Sequence, residues 1–469
     1  MGNSKKIFFL GIKGVAMTGL AIIFKKLGYK VYGSDIKGSF ITNNILKKHK
    51  INCYNSFNPK YILKNIDFFV YSAAHKGSNN PQALKAKKLN IKIYNQAELI
   101  GELLNRFKNT VAVTGSHGKT TTSSTLAFLL LKLNQKISYL IGSSGFNNYP
   151  GGDYLGDDYF VFEADEYAVN PPQNKKIKLN YYRPDSIIIT NIDFDHPDVY
   201  SDINDSKKKF ELFLRRTKKI YYCIDNSILR KIIDQNKIIE NLSFGYSNNA
   251  DLKISNLEIN EQGSEFRLEI KGKKLGSFKT QLFGEKIVSN IAGCILFLLD
   301  QGFKIEKIRE NLKLFTGPKR RFEKIFELNN IKLYDDYAHH PSEIETVIKT
   351  CKTIFNRKRI IILFHPHTYS RTKYFLTEFA QSLSKADYSI ILPIFSSARE
   401  KVEEFNITSY DIEKESKKFS KNIIAVESSK EALKEISKIL KKNDVILTMG
   451  AGDVYLLHNN IIDLIKNIK

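Results

Sequence analysis

Residue types that mark several protein classes are scarce in this sequence. It has no tryptophan, three methionines and only four cysteines among 469 residues, and the cysteines (Cys53, Cys223, Cys294 and Cys351) are widely separated. This spacing excludes a disulfide framework and a CxxC metal knuckle, and it fits a reducing compartment. General disorder is excluded as well, because 42% of the residues are hydrophobic and 12% are aromatic.

Long apolar runs are also missing. No run approaches the ~18 residues of a membrane-spanning helix. The apolar segment at 7–24 is interrupted by Lys13 and is followed by Lys25 and Lys26, where a signal peptide has small residues. The first six residues lack the Ser or Thr that a myristoylation motif requires at its end. We therefore expect a cytoplasmic protein with no membrane partner.

Acidic residues are outnumbered, with 49 Asp and Glu against 73 Lys and Arg and a net charge of +24. Such a charge can attract nucleic acid. However, the lysines are spread over the whole chain together with Asn and Ile, and the dense run at 207–209 is typical of a solvated helix face. We favour compositional drift over a specific nucleic-acid partner, with a nucleic-acid-dependent P-loop ATPase as the alternative.

The pattern of strands and helices predicts three α/β domains. Residues 1–107 read as strand, glycine turn, helix and strand, which predicts a Rossmann-like N-terminal domain. A new strand near 108–110 opens a central P-loop ATPase-like domain at 108–317, in which residues 252–283 alternate with period two and predict antiparallel strands. Residues 318–469 repeat strand and helix and predict a Rossmann-like C-terminal domain.

Two glycine turns are candidate phosphate-binding loops. The first, at 11–17, follows a strand and opens a helix, and Asp35 ends the next strand, where a ribose-binding acid lies in dinucleotide-binding folds. Lys13 and Ala16 replace two glycines of the GxGxxG pattern. This segment therefore predicts a nucleotide diphosphate site only in general terms.

The second loop, TGSHGKTTT at 114–122, combines a strand, a glycine turn, Lys-Thr and a helix. In this geometry Lys119 reaches the terminal phosphates of a nucleotide and Thr120 binds Mg²⁺. The usual spacing GxxxxGK[ST] is not met, because Val113 occupies the position of the first glycine. The sequence therefore predicts an ATP and Mg²⁺ site built on an unusually short loop.

This short loop resembles that of the Mur ligase superfamily, the ATP-dependent amide ligases of peptidoglycan precursor synthesis. Further motifs resemble the family in order along nearly the whole chain: 11–17 with 33–35, 163–167, 191–196, 320–323, 335–341 and 365–372. The last two motifs resemble the branch that joins L-alanine to UDP-N-acetylmuramate. The resemblance implies ATP and Mg²⁺ as cofactors, these two small molecules as substrates, and we expect a monomer or weak homodimer.

The resemblance also implies a reaction and its residues. ATP phosphorylates a carboxylate, and an amine then displaces phosphate from the acyl phosphate. Lys119, Glu163 and His196 are implied as catalytic, and Thr120, Glu163 and His196 as metal ligands, although Mg²⁺ prefers oxygen to imidazole. The implied binding residues are Gly115, Ser116, His117, Gly118, Lys119, Thr120, Thr121, Asn290, Arg321 and Asp336 for ATP, Gly11, Gly14, Met17, Asp35 and Ser72 for the UDP-sugar, and Tyr337, His367 and Arg371 for the amino acid.

Some positions depart from the family pattern or have simpler explanations. Lys13 alters the first glycine loop, and only Asn290 is kept in the adenine-side segment, where Lys286 and Ile287 differ. Residues 169–182 read as a loop insertion without a functional account. Asp165 and Glu166 are also explained as loop caps, and Asp193 as a turn residue. The nearest alternative function is the recycling ligase that attaches an intact tripeptide, in which the motif at 365–372 is not expected.

Overall fold

The computed structural model describes residues 4–171, 174–195, 199–236, 240–395 and 405–468. The chain divides into two compact units, one formed by residues up to Glu258 with Gly263–Lys319, the other by Ile259–Gln262 with Arg320–Lys469. The first unit contains two major sheets and the second contains a third. The α/β fold class with three sheet-based domains is therefore confirmed, while the exact bounds 1–107, 108–317 and 318–469 stay predictions.

The first domain is built on a five-stranded parallel sheet of order β3-β2-β1-β4-β5. The strand order reverses between β1 and β4, so a crevice opens at their carboxyl ends, where ligands bind in such sheets. The elements are β1 (Lys6–Leu10), α1 (Val15–Lys26), β2 (Lys30–Ser34), α2 (Asn43–Lys48), β3 (Asn52–Tyr54), β4 (Phe68–Tyr71), α3 (Pro81–Lys88), β5 (Lys92–Asn95) and α4 (Gln96–Leu104).

A ten-stranded mixed sheet forms the middle domain. Its central strands are apolar on both faces, as expected for parallel strands covered by helices. The elements are β6 (Asn109–Thr114), α5 (Lys119–Lys132), β7 (Ile137–Phe146), β8 (Tyr149–Tyr154), β9 (Tyr159–Glu163), β10 (Ala168–Asn170), β11 (Asn174–Ile177), β12 (Ser186–Ile189), α6 (Ile203–Leu214), β13 (Lys219–Cys223), α7 (Ser227–Asn236), β14 (Glu240–Gly245), β15 (Leu252–Asn260), β16 (Gly263–Ile270), β17 (Lys273–Thr280), α8 (Glu285–Asp300) and α9 (Ile305–Leu312).

The strand order in this sheet is β17-β16-β15-β14-β13-β12-β6-β9-β7-β8. Strands β15, β16 and β17 occupy one edge in sequence order, and β16 pairs with β17 antiparallel. The prediction of antiparallel pairing within 252–283 is therefore confirmed for this pair. Period-two alternation predicted antiparallel pairing because one face of these strands is more exposed than the other.

The prediction of a loop at 169–182 is wrong in part. Strand β10 pairs antiparallel with β11, and a 3₁₀ turn at Lys178–Tyr181 follows. Val169, Ile177 and Leu179 are buried in the core of the unit. These apolar residues stand singly between lysines and prolines, so the sequence shows no clear period, and tertiary burial decides the structure.

The first and middle domains share one hydrophobic core. Helix α1 packs against β8 so closely that a β-carbon on Gly152 would lie 2.5 Å from the Cα of Gly19. Lys26 Nζ also lies 2.5 Å from Asp153 Oδ1. The two glycine-loop segments are thus carried on one compact body.

The second unit is a six-stranded sheet of order β18-β19-β23-β20-β21-β22, parallel except for β18. The apolar strands β20 and β23 are buried along their whole length. The elements are β18 (Glu323–Leu328), β19 (Ile331–Asp336), α10 (Pro341–Ile354), β20 (Ile360–Phe364), α11 (Tyr369–Tyr374), α12 (Leu376–Leu383), β21 (Tyr388–Ile391), α13 (Ser409–Ser416), β22 (Ile423–Ala425), α14 (Ser429–Ile439), β23 (Val445–Met449) and α15 (His458–Lys466).

In the described part of the chain, none of the helices combines the length and the apolar character that crossing a bilayer requires.

Candidate active site

Three parallel strands in the centre of the middle sheet end at the same edge. Strand β6 lies between β12 and β9. The glycine loop at 115–118 follows β6, Glu163 is the last residue of β9, and residues 190–195 follow β12. The sheet therefore brings together three of the motifs found in the sequence.

The glycine loop has the backbone shape of a phosphate cradle. Gly115 and Gly118 have φ angles of 127° and 86°, which favour glycine. A β-carbon on Gly115 would lie 2.3 Å from Thr190 Oγ1, and one on Gly118 would lie 2.3 Å from Asn290 Nδ2. Helix α5 starts directly after the loop, with residues 119–121 in its first turn. The N–H groups at the N-terminus of α5 form an anion-binding site next to the loop. Asn290 lies against Gly118 of this loop.

The segment after β12 braces this loop through a set of hydrogen bonds. The carbonyl oxygen of His117 accepts from Thr190 Oγ1 at 2.6 Å and from Asn191 Nδ2 at 2.9 Å, while His117 N donates to Asn191 Oδ1 at 3.0 Å. Asp193 N donates to Ser116 Oγ at 2.8 Å, and that hydroxyl donates to the Asp193 carbonyl at 3.0 Å. Residues 190–193 therefore hold the shape of the loop.

The Lys119 ammonium is folded back onto the loop. It donates to the carbonyl oxygens of Gly115 at 2.7 Å and Ser116 at 3.2 Å, and to the carboxylate of Glu166 at 2.8 and 3.0 Å. Burial by itself lowers the pKa of Lys119. The negative charges of nearby carboxylates, Glu166 first among them, outweigh burial and raise this pKa above its ordinary value. Lys119 is therefore a charged group in a mostly enclosed site.

Glu163 and Thr120 form an oxygen-rich corner beside the loop. Thr120 Oγ1 lies 3.3 Å from Glu163 Oε2, and Ser123 Oγ lies 3.2 Å from Glu163 Oε1. Gly142 N also donates to Glu163 Oε1. A hydroxyl and a carboxylate suit Mg²⁺, so these two residues fit the expected ion. The third implied ligand, His196, lies outside the described residues, and no group of three or more His, Cys, Asp or Glu in the described ranges has metal-binding geometry.

The first glycine loop meets residues from two strand ends of the N-terminal sheet. A β-carbon on Gly11 would lie 2.6 Å from Ser72 Oγ and 3.7 Å from His75 Cδ2. Asp35 Oδ2 accepts from Lys13 N at 2.8 Å, and Asp35 Oδ1 lies 3.2 Å from His75 Nε2. Asp35 is only 2% exposed, so it orients the loop and His75.

The other residues expected at this loop differ in exposure. Lys13 Nζ donates to the Ile36 carbonyl at 2.7 Å and to Asn55 Oδ1 at 3.0 Å, and the side chain is buried. Its ammonium is therefore used within the protein. Met17 belongs to the hydrophobic core, whereas Gly14 is exposed.

A second group of expected residues lies at the carboxyl edge of the C-terminal sheet. Asp336 ends β19, and it accepts from Phe322 N and Ala338 N at 2.7 Å each. Burial raises the pKa of Asp336 to about 6, although the Arg321 guanidinium acts in the opposite direction. Arg321 also lies over the Tyr337 ring, with Cζ 5.1 Å from the centroid. The structure thus brings Arg321, Asp336 and Tyr337 together.

The loop after β20 adds the remaining expected residues of this unit. The ring centroids of His367 and His339 are 6.4 Å apart, and those of His339 and Tyr337 are 5.4 Å apart. Thr368 has a φ of 74°, rare for a β-branched residue, and its hydroxyl accepts from Arg371 N at 3.4 Å. Such strain occurs mainly at functional sites, and it supports a role for this loop. Arg371 lies in the first turn of α11 and is 8% exposed.

Several residues in these sites were not predicted to have such roles. Glu166 was explained as a loop cap, but it pairs with Lys119; its place in the motif at 163–167 was the available signal. Asn191 was noted only as part of a motif, and its contacts join residues 74 positions apart. His75 carried no sequence signal, because it follows no recognised pattern.

Comparison with known proteins agrees with this arrangement. The models for the Mur ligase family catalytic domain, the Mur ligase middle domain and the Mur ligase glutamate ligase domain match residues 6–108, 113–298 and 320–452. The UDP-N-acetylmuramate–L-alanine ligase of Pediococcus pentosaceus is 35% identical over 461 residues, 98% of each chain.

Solved structures show the same fold. The UDP-N-acetylmuramate-alanine ligase of Thermotoga maritima aligns with a TM-score of 0.81 at 24% identity, over 98% of this chain and 99% of that one. A murein peptide ligase of Psychrobacter arcticus aligns with a TM-score of 0.74 at 23% identity, over 99% of this chain and 100% of that one. Motifs, fold and full-length similarity together place this chain in the Mur ligase family.

Proposed function

We propose that this protein is an ATP-dependent ligase that joins the carboxylate of UDP-N-acetylmuramate to the amine of L-alanine in peptidoglycan precursor synthesis. The observation that carries this proposal is the 35% identity over 98% of both chains with a ligase named for this reaction. The glycine loop, its lysine and the adjacent carboxylate supply a site of the right chemistry. ATP and a nucleotide sugar are cytoplasmic metabolites, so the cytoplasm is the proposed location.

The reaction proceeds in two steps. The carboxylate oxygen of UDP-N-acetylmuramate attacks the γ-phosphorus of ATP, which gives an acyl phosphate and ADP. The amine of L-alanine then attacks the acyl carbon, loses a proton, and the C–O bond to phosphate breaks. Both steps place negative charge on phosphate oxygens, so fixed cations and N–H donors lower the barrier.

The residues around the loop fit the first step. The backbone N–H groups of Gly118, Lys119 and Thr120 lie at the N-terminal end of α5, where an anion binds. The Lys119 ammonium supplies a positive charge beside them. Thr120 and Glu163 would hold Mg²⁺, which neutralises the phosphate oxygens, with His196 as a further proposed ligand. Asn290 is assigned to the ATP site because it lies against Gly118 of the glycine loop.

The remaining assignments divide between the other two sites. Gly11, Gly14 and Ser72 offer backbone and hydroxyl groups to the UDP diphosphate, and Asp35 keeps the loop in shape. Met17 supports this helix from the core. In the second unit, Arg321 and Asp336 are assigned to ATP, and Tyr337, His367 and Arg371 to the amino acid, whose carboxylate suits a guanidinium. No specific nucleic-acid partner and a monomer or weak homodimer stay predictions.

An omission experiment tests this function. Phosphate release is measured with ATP, UDP-N-acetylmuramate and L-alanine together and with each one left out. The proposal predicts release with the full set and only background release when any one is missing. Release that needs no UDP-N-acetylmuramate, or that DNA or RNA stimulates instead, would contradict it and favour a different P-loop ATPase.

A further inference from the structure

Glu166 contacts Lys119 in the ATP site but has no role in either step of the proposed reaction. Its two carboxylate oxygens lie 3.0 and 2.8 Å from the Lys119 ammonium. An ammonium has three N–H donors, and the carbonyl oxygens of Gly115 and Ser116 take the other two directions. A phosphate oxygen must therefore displace an existing acceptor before Lys119 can donate to it.

Glu166 is itself buried, and its backbone is held in place. The side chain is 2% exposed, and the Glu166 carbonyl accepts from the buried Tyr200 hydroxyl at 2.6 Å. The neighbouring Asp165 faces another partner, Lys178, at 2.5 Å. The two adjacent carboxylates thus accept hydrogen bonds from different lysines: Glu166 is the one that accepts from Lys119, and the Asp165 charge acts on Lys119 only from a distance.

We propose that Glu166 is a positioning residue of the ATP site: it holds Lys119 in the nucleotide-free protein and yields the ammonium to a terminal phosphate of ATP. This inference rests on the proposed function. Lys119 carries several rotatable bonds, and a fixed counter-ion keeps its charge at the loop at all times. After ATP has taken the ammonium, the negative charge of the Glu166 carboxylate lies near the phosphates. The pairing therefore keeps the lysine oriented but weakens nucleotide binding.

This arrangement predicts an unusual split between binding and turnover. In Glu166→Gln the competing negative charge is gone and the buried ammonium is left without its counter-charge, and both changes favour nucleotide binding. Turnover falls, because in the bound complex the neighbouring Glu166 carboxylate no longer orients the ammonium against the reacting phosphate. A residue that merely stabilises the fold would weaken binding and turnover together when replaced.

The test compares AMP-PNP binding by calorimetry at fixed Mg²⁺ with steady-state kinetics. For Glu166→Gln we expect the Kd for AMP-PNP to fall at least threefold while kcat falls at least tenfold. Asp165→Asn removes the same charge one residue away, and we expect both constants to stay within twofold of wild type. Unchanged or weaker AMP-PNP binding by Glu166→Gln, or an unchanged kcat, would overturn the inference.

A second variant covers the case in which Glu166→Gln does not fold. Glu166→Asp keeps the charge but shortens the side chain by one methylene, which weakens its hold on Lys119. We therefore expect its Kd for AMP-PNP to fall at least 1.5-fold. An unchanged or higher Kd would overturn the inference.

If wild-type protein does not bind AMP-PNP, both proposals fall. If it binds AMP-PNP without alanine-dependent phosphate release, only the proposed function falls, and the Kd of the variants still decides the role of Glu166.

Discussion

At the scale of single residues, we expect Lys119 to serve both catalysis and stability. Its ammonium and the Glu166 carboxylate form an ion pair with side-chain exposures of 15% and 2%. Lys119→Ala removes charge stabilisation from the transition state, and we expect kcat to fall roughly 10²- to 10³-fold. It also leaves a buried carboxylate, so we expect the free energy of unfolding to drop by about 3–5 kcal/mol.

The two effects are separated by measuring phosphate release and urea unfolding on the same preparation. The double variant Lys119→Ala with Glu166→Ala is the control, because it removes both charges. We expect it to recover much of the lost stability and none of the lost turnover. More than a tenth of wild-type kcat in Lys119→Ala would contradict the assignment of this lysine.

At the scale of elements, the β10–β11 hairpin clamps the N-terminal domain to the middle domain. Asn170 Nδ2 donates to Ser78 Oγ at 2.8 Å, and a β-carbon on Gly77 would lie 1.8 Å from Asn170 Oδ1. Gly77→Ala must therefore displace the Asn170 side chain, which is only 2% exposed. We expect it to lower the free energy of unfolding by about 1–3 kcal/mol more than Gly28→Ala does.

Gly28 is a matched control for this measurement. It also has a positive φ, 91°, but nothing lies within 4 Å of its added β-carbon. Gly28→Ala therefore reports the backbone cost alone. The free energy of unfolding of both variants is measured by urea unfolding. Equal losses in the two variants would show that the hairpin does not form the clamp.

Helix α11 carries the residue expected to choose the acceptor. A free amino acid has its carboxylate directly beside the attacking amine, and Arg371 follows the His367 motif on the first turn of this helix. Loss of a charge-assisted hydrogen bond costs about 1.5–3 kcal/mol, so we expect Arg371→Ala to raise the KM for L-alanine roughly ten- to a hundredfold. The KM values for ATP and UDP-N-acetylmuramate, measured in the same assay, should change less than threefold. A uniform rise in all three would instead indicate a general loss of structure.

At the scale of the whole molecule, the sequence predicts what depends on neighbouring residues. The glycine loop at 114–122, the strand before it and the helix after it are local, so their arrangement was predictable from the pattern. The pairing of Lys119 with Glu166 joins residues 47 positions apart and follows only from the adjacency of β6 and β9 in the sheet. The hairpin of β10 and β11 was missed for a related reason, because its burial depends on a shared core.

A ligase that takes a free amino acid is distinguished from the recycling ligase by its acceptor. The most direct measurement compares L-alanine with the tripeptide L-Ala-γ-D-Glu-meso-diaminopimelate at equal concentration, with ATP and UDP-N-acetylmuramate saturating, and follows phosphate release and the mass of the product. We expect faster release with L-alanine and a product heavier than UDP-N-acetylmuramate by one alanine residue. Faster release with the tripeptide, giving the tripeptide adduct, would contradict it and identify the recycling activity instead.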